Sequence, residues 1–169
     1  HWFDGLAMCY RFTFDPGNRA GRPDGADDAI HYRNRFLETD AYEQARAGEF
    51  DGGFATGETL LRERLAGLLS DPYDNTNIVV ERIGGEHLAL TESPRWVGID
   101  PATLETTGHV QYDGPAPSGD LTCAHVQYDP ERDTHVTFDV EFGRQSYYHV
   151  YEMRDPRRRH VLASIPVDR

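Results

Sequence analysis

At 169 residues and 38% hydrophobic, the chain carries enough apolar material for one ordinary domain with a buried core, and its composition is not that of a disordered polymer. Its 29 acidic residues against 17 basic ones leave a formal charge of −12, and every basic residue is arginine. A surface of that sign repels phosphate backbones and anionic headgroups, which excludes nucleic-acid and membrane-surface binding by simple electrostatics.

An acidic, lysine-free surface is also what a protein from a high-salt cytoplasm shows, because salt screens the repulsion among its carboxylates. Cys9 and Cys123 are too few and too separated for a disulfide framework, which points to a reducing, cytoplasmic compartment. The HWFDG start lacks the basic and apolar regions of a secretory signal, and no apolar run reaches the roughly 18 residues that span a bilayer. The chain opens without methionine in a strand-and-turn pattern and stops just after an apolar strand, so both ends are expected to be cut from a longer polypeptide.

The alternation of LAMCYRFTF (6–14) and IHYRNRFLET (30–39) predicts two half-buried strands joined by a Gly/Pro/Asp loop. TGETLLRERLAGLLSDPY predicts one short helix: Thr59 caps it, Leu61, Leu65, Leu68 and Leu69 share a face, and Asp71-Pro72 stops it. From there, short strands follow at regular spacing: NTNIVVERI, EHLALTE, RWVGID, GHVQYD, LTCAHVQYD, THVTFDVEF, SYYHVYEM and RHVLASIPV. The segments between them, GG at 84–85, DPATLETTG, DGPAPSGD, DPERD and RDPRRR, have the chemistry of reversing turns. Many short antiparallel strands mean an all-β sandwich, barrel or propeller, and the Asp-Pro turn with its threonines favours the propeller. Arg157-Arg158-Arg159 reads as a solvated hairpin tip rather than a nucleic-acid patch.

No phosphate-binding loop, dinucleotide fingerprint, nucleophile elbow, C-x-x-C or H-E-x-x-H is present. Of the eight histidines, those at 31, 87, 109, 135, 149 and 160 sit at strand starts or beside charged and aromatic neighbours and need no function. His125 differs. It falls inside a predicted strand, after the small Cys123 and Ala124, where an inward imidazole has room to reach a metal at the mouth of a barrel or on a propeller axis. Cys123 with His125 makes only a C-x-H pair, and Cys123 reads as a small buried thiol. Glu92, after the apolar LAL run, is either a buried carboxylate bonded to a metal-ligating histidine or a glutamate at an exposed strand end. The residues alone leave both questions open.

HWFDGLAM, YRNRFLET, DNTN with its two valines, LALTESP, IDPATLETTG and LTCAHVQYDPERD, in this order, resemble the carotenoid cleavage oxygenase family over essentially the whole chain. The resemblance implies a seven-bladed β-propeller, of which residues 1–169 would supply a partial domain of about two to three blades. It also implies a non-haem Fe(II) on the axis, held by four histidines with glutamates behind them. The family's Thr-Ala-His-Pro motif maps onto Thr122-Cys123-Ala124-His125-Val126, which makes His125 the first iron ligand despite an added cysteine and a valine in place of proline. Glu92 maps onto a glutamate that orients a ligating histidine, one of the later three rather than His125.

The implied reaction is dioxygen-dependent cleavage of a C=C bond in a carotenoid or apocarotenoid to carbonyl products, with membrane contact only for substrate uptake. The other three ligands would lie beyond Arg169, so the chain by itself is expected to be inactive. The alternative is a non-catalytic β-propeller or sandwich remnant serving as a binding scaffold, with His125 and Glu92 as ordinary polar residues.

Overall fold

The computed structural model describes residues 5–15, 29–49, 74–113 and 119–167. These residues form three separate antiparallel sheets and one helix. Strands β1 (Met8–Asp15) and β2 (Ala29–Phe36) pair along their full length as a hairpin. Helix α1 (Asp40–Ala47) follows, with Thr39 Oγ1 accepting from the Tyr42 amide at 3.3 Å and Gly48 closing it in the left-handed region, φ 78°. A β-region N-cap threonine, acidic residues in the first turn and a left-handed glycine are the usual reasons such a short helix holds. The expected strand over 30–39 therefore ends at Phe36, where the chain turns to reach the cap. The helix expected from Thr59 onward lies outside the described residues.

The next four strands, β3 (Val79–Ile83), β4 (Glu86–Leu90), β5 (Val97–Ile99) and β6 (Thr106–His109), form a meander in chain order. Gly84 and Gly85 both take positive φ in the β3–β4 turn, the mirror-image turn that matches strand twist. The β5–β6 turn is built on Asp100, whose Oδ1 accepts from the amides of Ala102 at 2.7 Å and Thr103 at 3.1 Å. Those two bonds hold the Asp100 carboxyl below the usual carboxylate range. Arg11 and Arg33 reach from the β1–β2 hairpin to the carbonyl of Ala102 in that same turn.

The last sheet runs β11 (Arg158–Pro166), β10 (Tyr147–Asp155), β9 (Thr134–Glu141), with β7 (Leu121–Thr122) and β8 (Gln127–Asp129) both paired to the free side of β9. The strand expected over 121–129 is thus broken in two. The strand expected over 108–113 is displaced, since β6 ends at His109.

Two cores explain the layering. Ile83, Leu88, Leu90 and Trp96 pack against Ala124, Val126, Tyr151 and Met153 of the last sheet. Ala89, Ile99 and Leu104 pack the opposite way, against Ala7 and Leu37 beside the hairpin. β4 is therefore covered on both faces, which is why Leu88-Ala89-Leu90 is a continuous apolar run rather than an alternating one. At about 25 cal/mol per Å², these fully buried side chains are the main stabilising contribution to the seam between the sheets. The all-β expectation holds, with sheets that are open rather than closed into a ring.

Candidate functional site

The β7–β8 break is a two-residue bulge. Leu121 and Thr122 pair with Val140 and Asp139, whereas Gln127 pairs with Val136, so the four residues from Cys123 to Val126 stand opposite only Thr137 and Phe138. The surplus is taken up at Ala124 and His125, where the backbone bends. Ala124 and Val126 turn into the core and His125 between them points out, exposed. Bulges of this kind re-aim a side chain that a regular strand would leave in the sheet face. The expectation of an inward histidine inside a strand is corrected accordingly: His125 stands outside the ladder, and its side chain is exposed rather than turned inward.

The bulge is pinned on both sides. Thr122 N donates to Glu92 O at 2.7 Å, Cys123 N to Phe138 O at 2.9 Å, and Thr137 Oγ1 to Cys123 O at 3.1 Å. The His125 carbonyl accepts from Gln127 Nε2 at 3.4 Å and from Cys123 Sγ at 3.6 Å. Among the described residues nothing hydrogen-bonds the His125 ring. A small neighbour, an exposed setting and two unclaimed ring nitrogens fit an imidazole that serves as one ligand of a metal. Glu92 lies two residues past the end of β4, exposed, as in the plainer of its two sequence readings. Its main chain touches the bulge through Thr122, while its carboxylate meets no described partner.

The remaining described histidines differ in setting. His149 is bonded at both nitrogens, to Ser164 Oγ at 2.9 Å and Glu141 Oε2 at 2.8 Å. His135 is buried against Tyr128, and burial lowers its pKa. His109 Nε2 bonds the buried Asp74 at 3.0 Å, and with Asp40 this makes a group of three metal-capable side chains. Its atoms are already employed: the Asp74 carboxylate accepts from the amides of Asp40 and Ala41 at the start of α1, and Asp40 pairs with Arg95 at 3.0 Å. The group anchors the helix. Neighbouring Asn75 does the same for the N-terminal segment, accepting from Ala7 N at 2.8 Å and donating to Gly5 O at 2.7 Å.

The largest difference from sequence reasoning is at Arg157-Arg158-Arg159. Arg158 is exposed, but Arg157 makes a two-pronged pair with Glu86 of the middle sheet, and the Arg159 side chain is 1% exposed. Arg159 Nη1 donates to Asp139 Oδ2 at 2.7 Å, Nη2 donates to Tyr112, and the guanidinium lies over the rings of Trp96, Tyr112 and Tyr151. Tyr151 donates to Asp139 Oδ1 at 3.0 Å and sits 3.3 Å from Thr122 Oγ1. Nothing in a run of three arginines tells which one turns inward; Arg157 lies in the turn before β11, and within the strand alternation separates only Arg158 from Arg159.

Two large cavities border the sheets. One, of about 1120 Å³, is lined by β1, the start of β3 and the β5–β6 turn. The other, of about 530 Å³, is polar and lies where the tips of β3–β4 and β8–β9 meet. No described helix is long and apolar enough to cross a membrane.

The sequence profile of the family described as retinal pigment epithelial membrane protein matches residues 1–168. A mitochondrial carotenoid-cleaving dioxygenase of Macaca fascicularis is 30% identical over 145 residues, covering 78% of this chain and 24% of that protein. Isoeugenol monooxygenase of Pseudomonas nitroreducens is 37% identical over 143 residues, 77% of this chain and 24% of the relative. Among solved structures, a Glu-to-Asp mutant of Synechocystis apocarotenoid oxygenase matches with a TM-score of 0.66 at 24% identity, over 99% of this chain and 34% of the other. A cobalt-substituted form of the Synechocystis oxygenase matches with a TM-score of 0.64 at 23% identity, over 99% and 34%. The chain thus spans about a quarter of the length of the curated relatives it matches. With a family profile matched from end to end and its motifs placed in strands, turns and one histidine-bearing bulge, the chain belongs to the retinal pigment epithelial membrane protein family, the carotenoid cleavage oxygenases.

Proposed function

We propose that the protein carrying this chain is a non-haem Fe(II) oxygenase that cleaves a C=C bond of a carotenoid or apocarotenoid with dioxygen, giving two carbonyl products. The observation that carries the reading is His125, an exposed imidazole whose ring nitrogens no described residue engages, set outside its ladder by a bulge pinned to β9 and to the main chain of Glu92. On this reading the three sheets are part of a seven-bladed propeller, the β7–β8 edge faces its axis, and His125 is one of four histidine ligands. Bound Fe(II) would supply the activation of dioxygen toward an electron-rich polyene.

What the chain's own residues do is hold and exclude. The bulge fixes the imidazole, and buried Ala124 and Val126 keep water from the main chain behind it. Glu92 would accept the free ring N–H of a histidine supplied by a later strand, setting that ring's tautomer. A phenylpropanoid is the second substrate reading, favoured by the higher identity to the isoeugenol enzyme.

The test uses the full-length protein purified with iron. His125→Ala is expected to lose bound iron and all cleavage, and Glu92→Gln to lose about tenfold in iron affinity or activity. Wild-type iron content in His125→Ala, or a wild-type protein that takes up no iron, would leave the binding scaffold as the better reading. Chromatography of products from an apocarotenal and from isoeugenol, incubated in parallel, separates the two substrate classes.

A further inference from the structure

We infer that Thr122, Tyr151, Asp139 and Arg159 form a positioning relay that sets the His125 bulge from the far side of the sheet; the inference rests on His125 being an iron ligand. Among the described residues nothing hydrogen-bonds the His125 ring, so its direction is set by the main chain on either side. Val126 is seated in the core and Gln127 rejoins β9, which fixes the departing side. The arriving side depends on Thr122, the last residue before the bulge.

The order of donors in the relay follows from counting protons. Arg159 Nη1 occupies Asp139 Oδ2 at 2.7 Å, and Tyr151 gives its one hydroxyl proton to Asp139 Oδ1 at 3.0 Å. The Tyr151 oxygen is left only as an acceptor, so across the 3.3 Å contact Thr122 must be the donor. Its hydroxyl is thereby held in one rotor, and its amide is held at the same time by Glu92 O at 2.7 Å. Side chain and main chain of Thr122 are both committed before the chain leaves the ladder.

The four residues come from β7, β9, β10 and β11, so the relay crosses the whole sheet from its outer strand to the bulge. All of its polar ends are buried: Thr122, Asp139 and Tyr151 are at most 4% exposed, and the Arg159 side chain 1%. Apolar side chains of similar volume would hold the two sheets together as well or better. What a bonded row supplies, and an apolar core does not, is one defined direction for the group at its end. Arg159 itself lies over the rings of Trp96, just before β5, and Tyr112, three residues past β6, at 5.1 and 4.1 Å, so the far end of the relay is held by the segments that flank the middle sheet.

The test compares Thr122→Val, Tyr151→Phe and Thr122→Ser with wild type and His125→Ala, all as full-length iron-loaded protein. Iron affinity is read by chelator competition, and amide exchange is followed at Cys123 and along β3–β4. Thr122→Val and Tyr151→Phe are each expected to weaken iron binding about tenfold and to speed exchange at Cys123, with β3–β4 protection unchanged. Thr122→Ser, which keeps the hydroxyl, is expected within about twofold of wild type. If both hydroxyl deletions bind iron like wild type while His125→Ala does not, the relay is overturned and the ligand assignment stands. If protection falls throughout both sheets along with the iron, the four residues are merely structural and the inference also fails. Wild-type iron affinity in His125→Ala would remove the premise itself.

Discussion

Arg159 and Asp139 are in direct contact at 2.7 Å with both side chains buried, and among the described residues each is the other's ion-pair partner. A buried pair of this kind adds little net stability over an apolar pair, yet removing one partner strands the other, at a cost of about 3–5 kcal/mol. Arg159→Met is therefore expected to lower the unfolding free energy by that order, and adding Asp139→Asn to recover part of it; a urea titration of the two variants checks both. Lysine would not substitute. It lacks the planar fork that lets Arg159 reach Asp139 and Tyr112 while lying against three rings. Burial also raises the phenols of Tyr112 and Tyr151 above their ordinary value. The folded state thus keeps protons that the unfolded chain releases near pH 10, so stability is complete below that pH and falls as pH rises through it. Denaturation midpoints between pH 8 and pH 11 should decline, and Tyr151→Phe should flatten the decline.

At the scale of elements, the two glycines of the β3–β4 turn are not equivalent. Gly84 takes φ 58°, and a side-chain carbon added there would lie 2.8 Å from the Arg154 carbonyl of the neighbouring hairpin. Gly85 has a positive φ but open space. Both alanine substitutions incur the left-handed penalty of about 1–2 kcal/mol, and Gly84→Ala adds a backbone collision that nothing flexible can relieve. Gly84→Ala should lower the melting temperature clearly more than Gly85→Ala; equal shifts would show that the two hairpin tips are not in contact.

Most elements were legible because their signals are local. The strands at 86–90, 134–141 and 147–155 carry β-branched and aromatic runs bounded by Gly, Pro and Asp and form within a residue or two of their predicted limits, whereas the strand expected over 75–83 begins only at Val79. The segment 121–129 was read as one strand because its alternation continues unbroken, and composition cannot reveal that its partner strand is two residues shorter. Helix α1 was overlooked for the opposite reason. Eight residues with one buried side chain give almost no apolar period, and the helix depends on Thr39, Gly48 and the distant Asp74. Of the candidate site, residue type singled out His125 and Glu92 as candidates, with an exposed Glu92 as one of its two readings, but the bulge at His125 and the bonded row behind it exist only once four strands are side by side.

For the whole molecule, charge and uncovered surface decide behaviour. The net charge is −12, and the exposed ion pairs among the described residues, such as Arg35 with Glu38 and Arg132 with Asp129, are each worth about 0–1 kcal/mol. Added salt weakens those pairs but also screens the excess of carboxylates, and the second effect is the larger because it sums over the whole surface. The melting temperature should rise from low to molar salt; a flat response would remove the high-salt reading of the composition. The uncovered faces carry Tyr10, Phe12, Phe14, Ile30 and Tyr32 on the hairpin, and Phe138, Tyr148 and Ile165 on the last sheet. Aromatic surface on both outer layers is that of a stack prepared for further layers on each side.

The bulge at Ala124 and His125 has an odd-even consequence. Because it adds two residues rather than one, Gln127 to Asp129 resume beside β9 with the same sides inward that an uninterrupted strand would show. Removing a single residue between Thr122 and Gln127 would turn that segment inside out, whereas removing a pair would merely straighten it. Deleting Ala124 alone should therefore destabilise the protein more than deleting Ala124 and His125 together, and the straightened version would keep its interior while surrendering the one imidazole that the loop holds away from it.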